Sequence, residues 1–179
     1  VTKFDSSGAH VWTVTFGGTG NDQGWRVAVD GSGNVYTTGY FEGTVNFGAG
    51  DVTSAGATDV FVTKLNSAGA HQWTTTFGGT SSDVGYGVAV DGSGNVHVTG
   101  HFNGTVNFGA GNVTAVGASD VFVTKLNSSG AHQWTTTFGG GSGAGDWGLG
   151  VAVDGSGNVH VTGRLHGTVY FGAGLVASA

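Results

Sequence analysis

Apolar and polar residues alternate along most of this chain with a period of two, the pattern of strands that bury one face. In HQWTTTFGG, Trp73, Thr75 and Phe77 share a face that opposes Thr74 and Thr76. In DVFVTKLN, Phe61, Thr63 and Leu65 oppose Val60, Val62 and Lys64. In NVHVTGHF, Val96, Val98 and Phe102 oppose His97, Thr99 and His101. The short β-branched run VAVD suits a strand covered on both faces. No stretch carries a helical period, so the expected fold class is all-β.

VAVDGSGNV occurs at Val27–Val35, Val88–Val96 and Val151–Val159. It reads as a strand, a tight reversal over DGSGN, and the start of the next strand. Gly supplies a positive φ there, and Asp and Asn side chains bond neighbouring backbone groups. A calcium loop would need an acid at its twelfth position, which counted from Asp30 is Phe41. The phrase is therefore scaffold.

The repeat is longer than this phrase. VTKF at Val1 and VTKL at Val62 and Val123 recur every 61 residues, as does the GAH that precedes Trp12, Trp73 and Trp134. The third unit carries two extra residues in GGGSGAGDWG, which marks a loop. We read one repeat domain over 1–179 with units 1–61, 62–122 and 123–179. Each unit supplies four strands, VAVD, NVYTTGYF, DVFVTKLN and HQWTTTFGG, with GTVNFGAGDVTSAG predicted as an extra small hairpin between the second and third. Four-stranded units in tandem predict β-propeller blades, three equivalents in all. The rival architecture is a β-trefoil, for which a unit of 61 residues is long.

Composition narrows the function. Gly is 38 of 179 residues, Pro, Cys and Met are absent, and only 9% of residues are charged. Five Lys and Arg against a net charge of −6 exclude a basic patch, so no nucleic-acid partner is expected. No run approaches about 20 apolar residues, so no membrane-inserting helix is expected. Without Cys there are no disulfides or thiolate sites. No leader sequence or initiator Met is present, and Val1 falls inside a repeated motif, as in a trimmed or excised piece.

The order VAVDxxGNVYxTGYFxGTVNFG, then DVFVTKL, then WxxxFGG resembles the bacterial SBBP-type β-propeller repeat, and VAVDGSGNVY is also similar to NHL propeller repeats. The resemblance extends over all three units. It implies a secreted or surface-attached bacterial protein in a structural or adhesive role, and it supplies no catalytic residues. Propellers hold about 4–8 blades, whereas this chain has three units, opening on third and fourth strands and closing on first and second ones. These halves are complementary, which predicts a homo-oligomeric ring, a head-to-tail filament, or a part of a longer array.

Candidate sites follow from the repeats. Asp22, Asp83 and Asp146 recur in the links, with Asp59 and Asp120 nearby, and a ring of carboxylates could hold Ca²⁺, although Asp also caps its own turn. Trp25, Tyr86 and Trp147 cluster on or beside the link loops, where aromatic rings could bind carbohydrate or fill the space between blades. His97 and His101, about 13 Å apart on one strand face, cannot share one zinc ion. His10, His71 and His132 recur ahead of the fourth strand, where a turn is expected. Asn103, Asn112 and Asn127 fit the glycosylation acceptor pattern. With no nucleophile elbow and with carboxylates that mostly follow the repeat, the chain is not expected to be an enzyme.

Overall fold

A computed structural model describes residues 1–141, 143–171 and 174–177. Every helix or strand among them is a strand. Ser142, in the stretch that holds the two-residue insertion, and Gly172 and Ala173, in the third small hairpin, lie outside the described residues, as do Ser178 and Ala179.

The chain opens with a two-stranded sheet of β1 (Thr2–Phe4) and β2 (His10–Thr13). Next come β3 (Gln23–Val29), β4 (Val35–Phe41), the small hairpin β5 (Thr44–Asn46) and β6 (Asp51–Thr53), then β7 (Asp59–Leu65) and β8 (His71–Phe77). The pattern recurs as β9 (Val84–Val90), β10 (Val96–Phe102), β11 (Thr105–Asn107), β12 (Asn112–Thr114), β13 (Asp120–Leu126) and β14 (His132–Phe138). It begins once more with β15 (Trp147–Val153), β16 (Val159–Arg164), β17 (Thr168–Tyr170) and β18 (Leu175–Ala177). The two four-stranded sheets run β3-β4-β7-β8 and β9-β10-β13-β14, antiparallel throughout, while β15-β16 form a pair and each small hairpin stands as its own sheet. Strands thus pair in separate meanders rather than around one trefoil barrel. The boundaries 61/62 and 122/123 fall inside β7 and β13, so the sheets are offset from the sequence units.

The DGSGN turns close as their residues dictate. Asp30 N–H donates to the Asn34 carbonyl at 3.1 Å, and Gly33, at φ 78°, donates to the Asp30 carbonyl at 3.0 Å. The Asp30 carboxylate accepts from the Ser32 and Asn34 amides, both at 2.9 Å. Asp91 and Asp154 repeat the arrangement.

The first strand of each unit is longer than VAVD because it contains a bulge. Gly24 faces Gly39 and Arg26 faces Thr38, leaving Trp25 unpaired, and Tyr86 and Leu149 are bulged in the same way. The bulge breaks the alternation on which the sequence reading depends. A glycine is required opposite it, since a Cβ on Gly100 would run into the Val84 carbonyl and the Phe122 ring.

One core cluster joins the two four-stranded sheets, with Val60, Val62 and Phe77 packed against Val88, Val96, Val98 and Phe122. The small hairpins belong to this core. Phe108 follows β11 and meets Phe77, Phe102 and Phe122 at ring distances of 5.1–5.4 Å, so it ties one sheet to the next. Phe47 likewise meets Phe41 and Phe61 of the first four-stranded sheet and Phe16, which follows β2, at 5.0–5.6 Å.

Candidate functional site

The link carboxylates sit where the sequence put them, at the start of each first strand, and backbone amides occupy both of their oxygens. Asp22 accepts from Gly18 N–H at 2.8 Å and Glu42 N–H at 3.1 Å. Asp83 accepts from Gly79 at 2.7 Å and Asn103 at 2.9 Å. Asp146 accepts from Gly140 at 2.8 Å and His166 at 2.6 Å. Each Asp thus staples the link before it to the chain leaving the second strand. Asp59 accepts from the Ala55 amide and Asp120 from the Val116 and Gly117 amides. Burial pushes the Asp83 carboxyl up to about 6, against its two amide bonds and with a smaller push from Asp59, whose own carboxyl burial also raises. Among the described residues no three His, Asp or Glu side chains come together as metal ligands.

The aromatics are brought together, at the start of the first strands beside the link loops. Trp25 meets Tyr86 edge-on at 5.5 Å, and Tyr86 meets Trp147 at 6.0 Å. Trp147 is not the third member of the bulge series. It lies opposite Arg164, as Val84 lies opposite His101 and Gln23 opposite Tyr40, and Leu149 takes the bulge position. His101 stacks on Trp147 at 5.2 Å, and the Arg164 guanidinium lies 4.2 Å from the Trp147 ring centroid on its other strand neighbour. Burial alone pushes the His101 imidazole down to about 4. Trp25 is the exposed member of the row.

The turn carboxylates have a second partner that sequence reasoning missed. Tyr36 donates its hydroxyl to Asp30 at 3.0 Å; His97 and His160 contact Asp91 and Asp154 at 3.5 and 3.3 Å. Lys125, from the third strand, adds an ion pair to Asp91 at 3.7 Å. Burial opposes ionisation of Asp91, but hydrogen bonds led by Asn95 hold it down to about 2. The constant spacing of six from Asp to Tyr or His was the available signal. His97 and His101 point to separate partners, in keeping with the spacing. His10, His71 and His132 lie at the first residue of β2, β8 and β14 rather than in a turn, each 2.9 Å from the Thr hydroxyl three residues on. Of the acceptor asparagines, Asn103 is half-buried beside Asp83, Asn112 begins β12, and Asn127 folds its own turn.

A large concavity of about 670 Å³ lies between the β1-β2 pair and the open side of β3, and is lined by Lys3, Phe4, Trp12, Trp25, Val27 and Val29 among others. The β1-β2 pair is held there by Trp12 Nε1 and Lys3 Nζ, which donate to the Ser67 carbonyl at 3.2 and 3.1 Å. Trp73 makes the same bond to Ser128 one unit later, at 3.1 Å. The pair thus sits beside the first four-stranded sheet as β7-β8 sit beside the second.

The chain is similar to an uncharacterized WD repeat-containing protein of Acanthamoeba polyphaga mimivirus, at 30% identity over 161 residues, covering 78% of this chain and 11% of that protein. It therefore spans about a tenth of that relative's length. The family model described as the SBBP β-propeller repeat matches residues 72–106 and 133–167, each running from a fourth strand through the link into the next first and second strands. Both matched segments are thus β-propeller repeats of the SBBP type.

Proposed function

We propose that this chain is a non-enzymatic structural protein that works by assembly at or outside a bacterial cell surface, its three blade equivalents forming part of a larger propeller. The observation that carries the reading is a contrast between equal residues. Val88–Gly100 and Val151–Gly163 are the same thirteen residues, VAVDGSGNVHVTG. Val98 is fully buried in the first copy, while Val161 is 37% exposed in the second. Val27 is likewise 57% exposed where its counterpart Val88 is 8% exposed. Faces of one composition are thus covered in the middle of the array and open at its two flanks, and open apolar sheet faces favour association. The extracellular setting is supported by the resemblance to the repeat family and by a composition whose polar residues are mostly Thr, Ser and Asn rather than ions. Light scattering on the purified chain, with electron micrographs of the same sample, tests the reading. Discrete oligomers or fibres are expected, and a monomer at every concentration would refute it.

A second reading is a carbohydrate-binding propeller face, favoured by the 42% exposure of Trp25 beside Arg26 and Thr37 in the large concavity. It predicts glycan-array binding that Trp25→Ala abolishes. An array without binders removes it.

A further inference from the structure

We infer that the large concavity is a seat for the β15-β16 hairpin of a second copy of this chain, and that β16 of that copy adds to the free edge of β1. This rests on the assembly reading above and assigns it a surface, a register and a stoichiometry.

The chain contains its own template. The hairpin β9-β10 lies beside β13 and against β15, and β10 pairs with β13 as Val96↔Leu126, His97↔Lys125, Val98↔Thr124 and Thr99↔Val123. The β15-β16 hairpin repeats the β9-β10 residues, and VTKF at Val1–Phe4 repeats VTKL at Val123–Leu126. Transferred to two copies, the register becomes Val159↔Phe4, His160↔Lys3, Val161↔Thr2 and Thr162↔Val1. Phe4 is 60% exposed where Leu65 and Leu126 are fully buried, which is the cover this pairing would restore.

Three independent features of the flanks agree with that register. Asp91 collects His97 and Lys125 at 3.5 and 3.7 Å; Asp154 has His160 at 3.3 Å, and the pairing brings it the partner copy's Lys3. Trp25 contacts the next bulge residue, Tyr86, and the pairing sets the partner's bulge residue, Leu149, against Trp25; both are large, apolar and more than 40% exposed. A Cβ on Gly85 would strike the Thr38 hydroxyl and Val60, and one on Gly148 would strike Thr99 and Val121. At Gly24 the same position is open, with Thr37 Oγ1 at 3.7 Å as its nearest neighbour. The pairing fills that space with the partner's Thr162. The geometry is heterologous, so closure depends on rotation. Two copies joined at both flanks complete six four-stranded sheets, within the usual range of about 4–8 blades. We therefore assign a closed ring of two chains.

The chain has no Cys, so paired cysteines report the contact without background. Thr2→Cys and Val161→Cys are made on separate chains, mixed and mildly oxidised, while light scattering measures the mass of the unmodified protein. The expected result is twice 17.7 kDa and a disulfide that forms in the mixture far more than in either variant alone. Gly24→Ala, free of steric conflict in a lone chain, is expected to keep the fold and to weaken assembly by at least about tenfold. An assembled particle with no such cross-link and no effect of Gly24→Ala overturns this interface and leaves the assembly reading standing. A monomeric chain overturns both, and longer polymers with the expected cross-link overturn the closed ring.

Discussion

His101 offers a clean test of how the sheets pack, because its charge and its position can be separated. The imidazole is 8% exposed, stacked on Trp147 of β15 and 5.6 Å from Tyr86 of β9. Burial is the sole cause of the depression of its pKa from 6.5 to about 4, so no neighbouring carboxylate supports its charged form. A histidine with a depressed folded-state pKa stabilises the fold above pH 6.5 and withdraws that support as pH falls toward 4. From about pH 7.5 to about pH 4.5 the loss is about 2–3 kcal/mol. The first unit places a tyrosine, Tyr40, at the same register position, which recommends His101→Tyr. Tyrosine does not titrate in this range. Its packing cost, whatever its sign, is the same at both pH values and cancels in the comparison. Urea denaturation followed by tryptophan fluorescence gives the stability of both proteins at each pH. The wild-type protein should lose about 2–3 kcal/mol relative to His101→Tyr on acidification. A difference that stays constant with pH would mean that His101 is hydrated, and that the sheets do not pack at this corner as described.

The remaining predictions address other parts of the frame. Asp83 should behave with the opposite sign: its folded pKa of about 6 exceeds its ordinary 3.8, so lowering the pH through that window stabilises the fold. Relative to Asp83→Asn, the wild type should gain about 2 kcal/mol between about pH 7.5 and 4.5, and a loss would contradict the burial argument. Phe108→Ala should cost about 3–5 kcal/mol in urea unfolding, because its ring lies between consecutive sheets; a cost under about 1 would make the small hairpin a surface ornament. Gly100→Ala should destabilise by at least about 2 kcal/mol, since the clash is with backbone and cannot relax by rotamer change. Calcium or EDTA should leave the melting temperature unchanged, because amide donors already occupy both oxygens of Asp22, Asp83 and Asp146; a calcium-dependent rise would restore the cation ring.

Most of the frame was legible in the residues because period-two alternation and the DGSGN turn act locally. The turn closes through its own Asp and Gly whatever surrounds it, so three copies give three equal hairpins. The bulge was not legible, since one extra residue inverts the alternation over Gln23–Arg26, and those residues read as a link. The register of Trp147 could have been counted. Trp25 and Tyr86 stand two residues before VAV, Trp147 stands four before it, and Leu149 takes the vacated place. The reach of Phe108 across to Phe77 could not be read, because it depends on how neighbouring sheets are juxtaposed.

Burial itself is the property that the residues alone leave open. Val98 and Val161 stand in the same thirteen-residue string, with the same turn behind them and the same first-strand partner, yet one is sealed and the other is wet. Val98 lies between the third strand of its own sheet and the first strand of the next, β13 and β15. Removing those neighbours from an unchanged hairpin converts core into surface. At about 25 cal/mol per Å² of apolar area, covering such a face again is a favourable term of the kind that drives folding. Near-identical repeats make any hairpin a fit for any vacancy, so the same physics that joins the two complete sheets within one chain also favours joining the flanks of two chains.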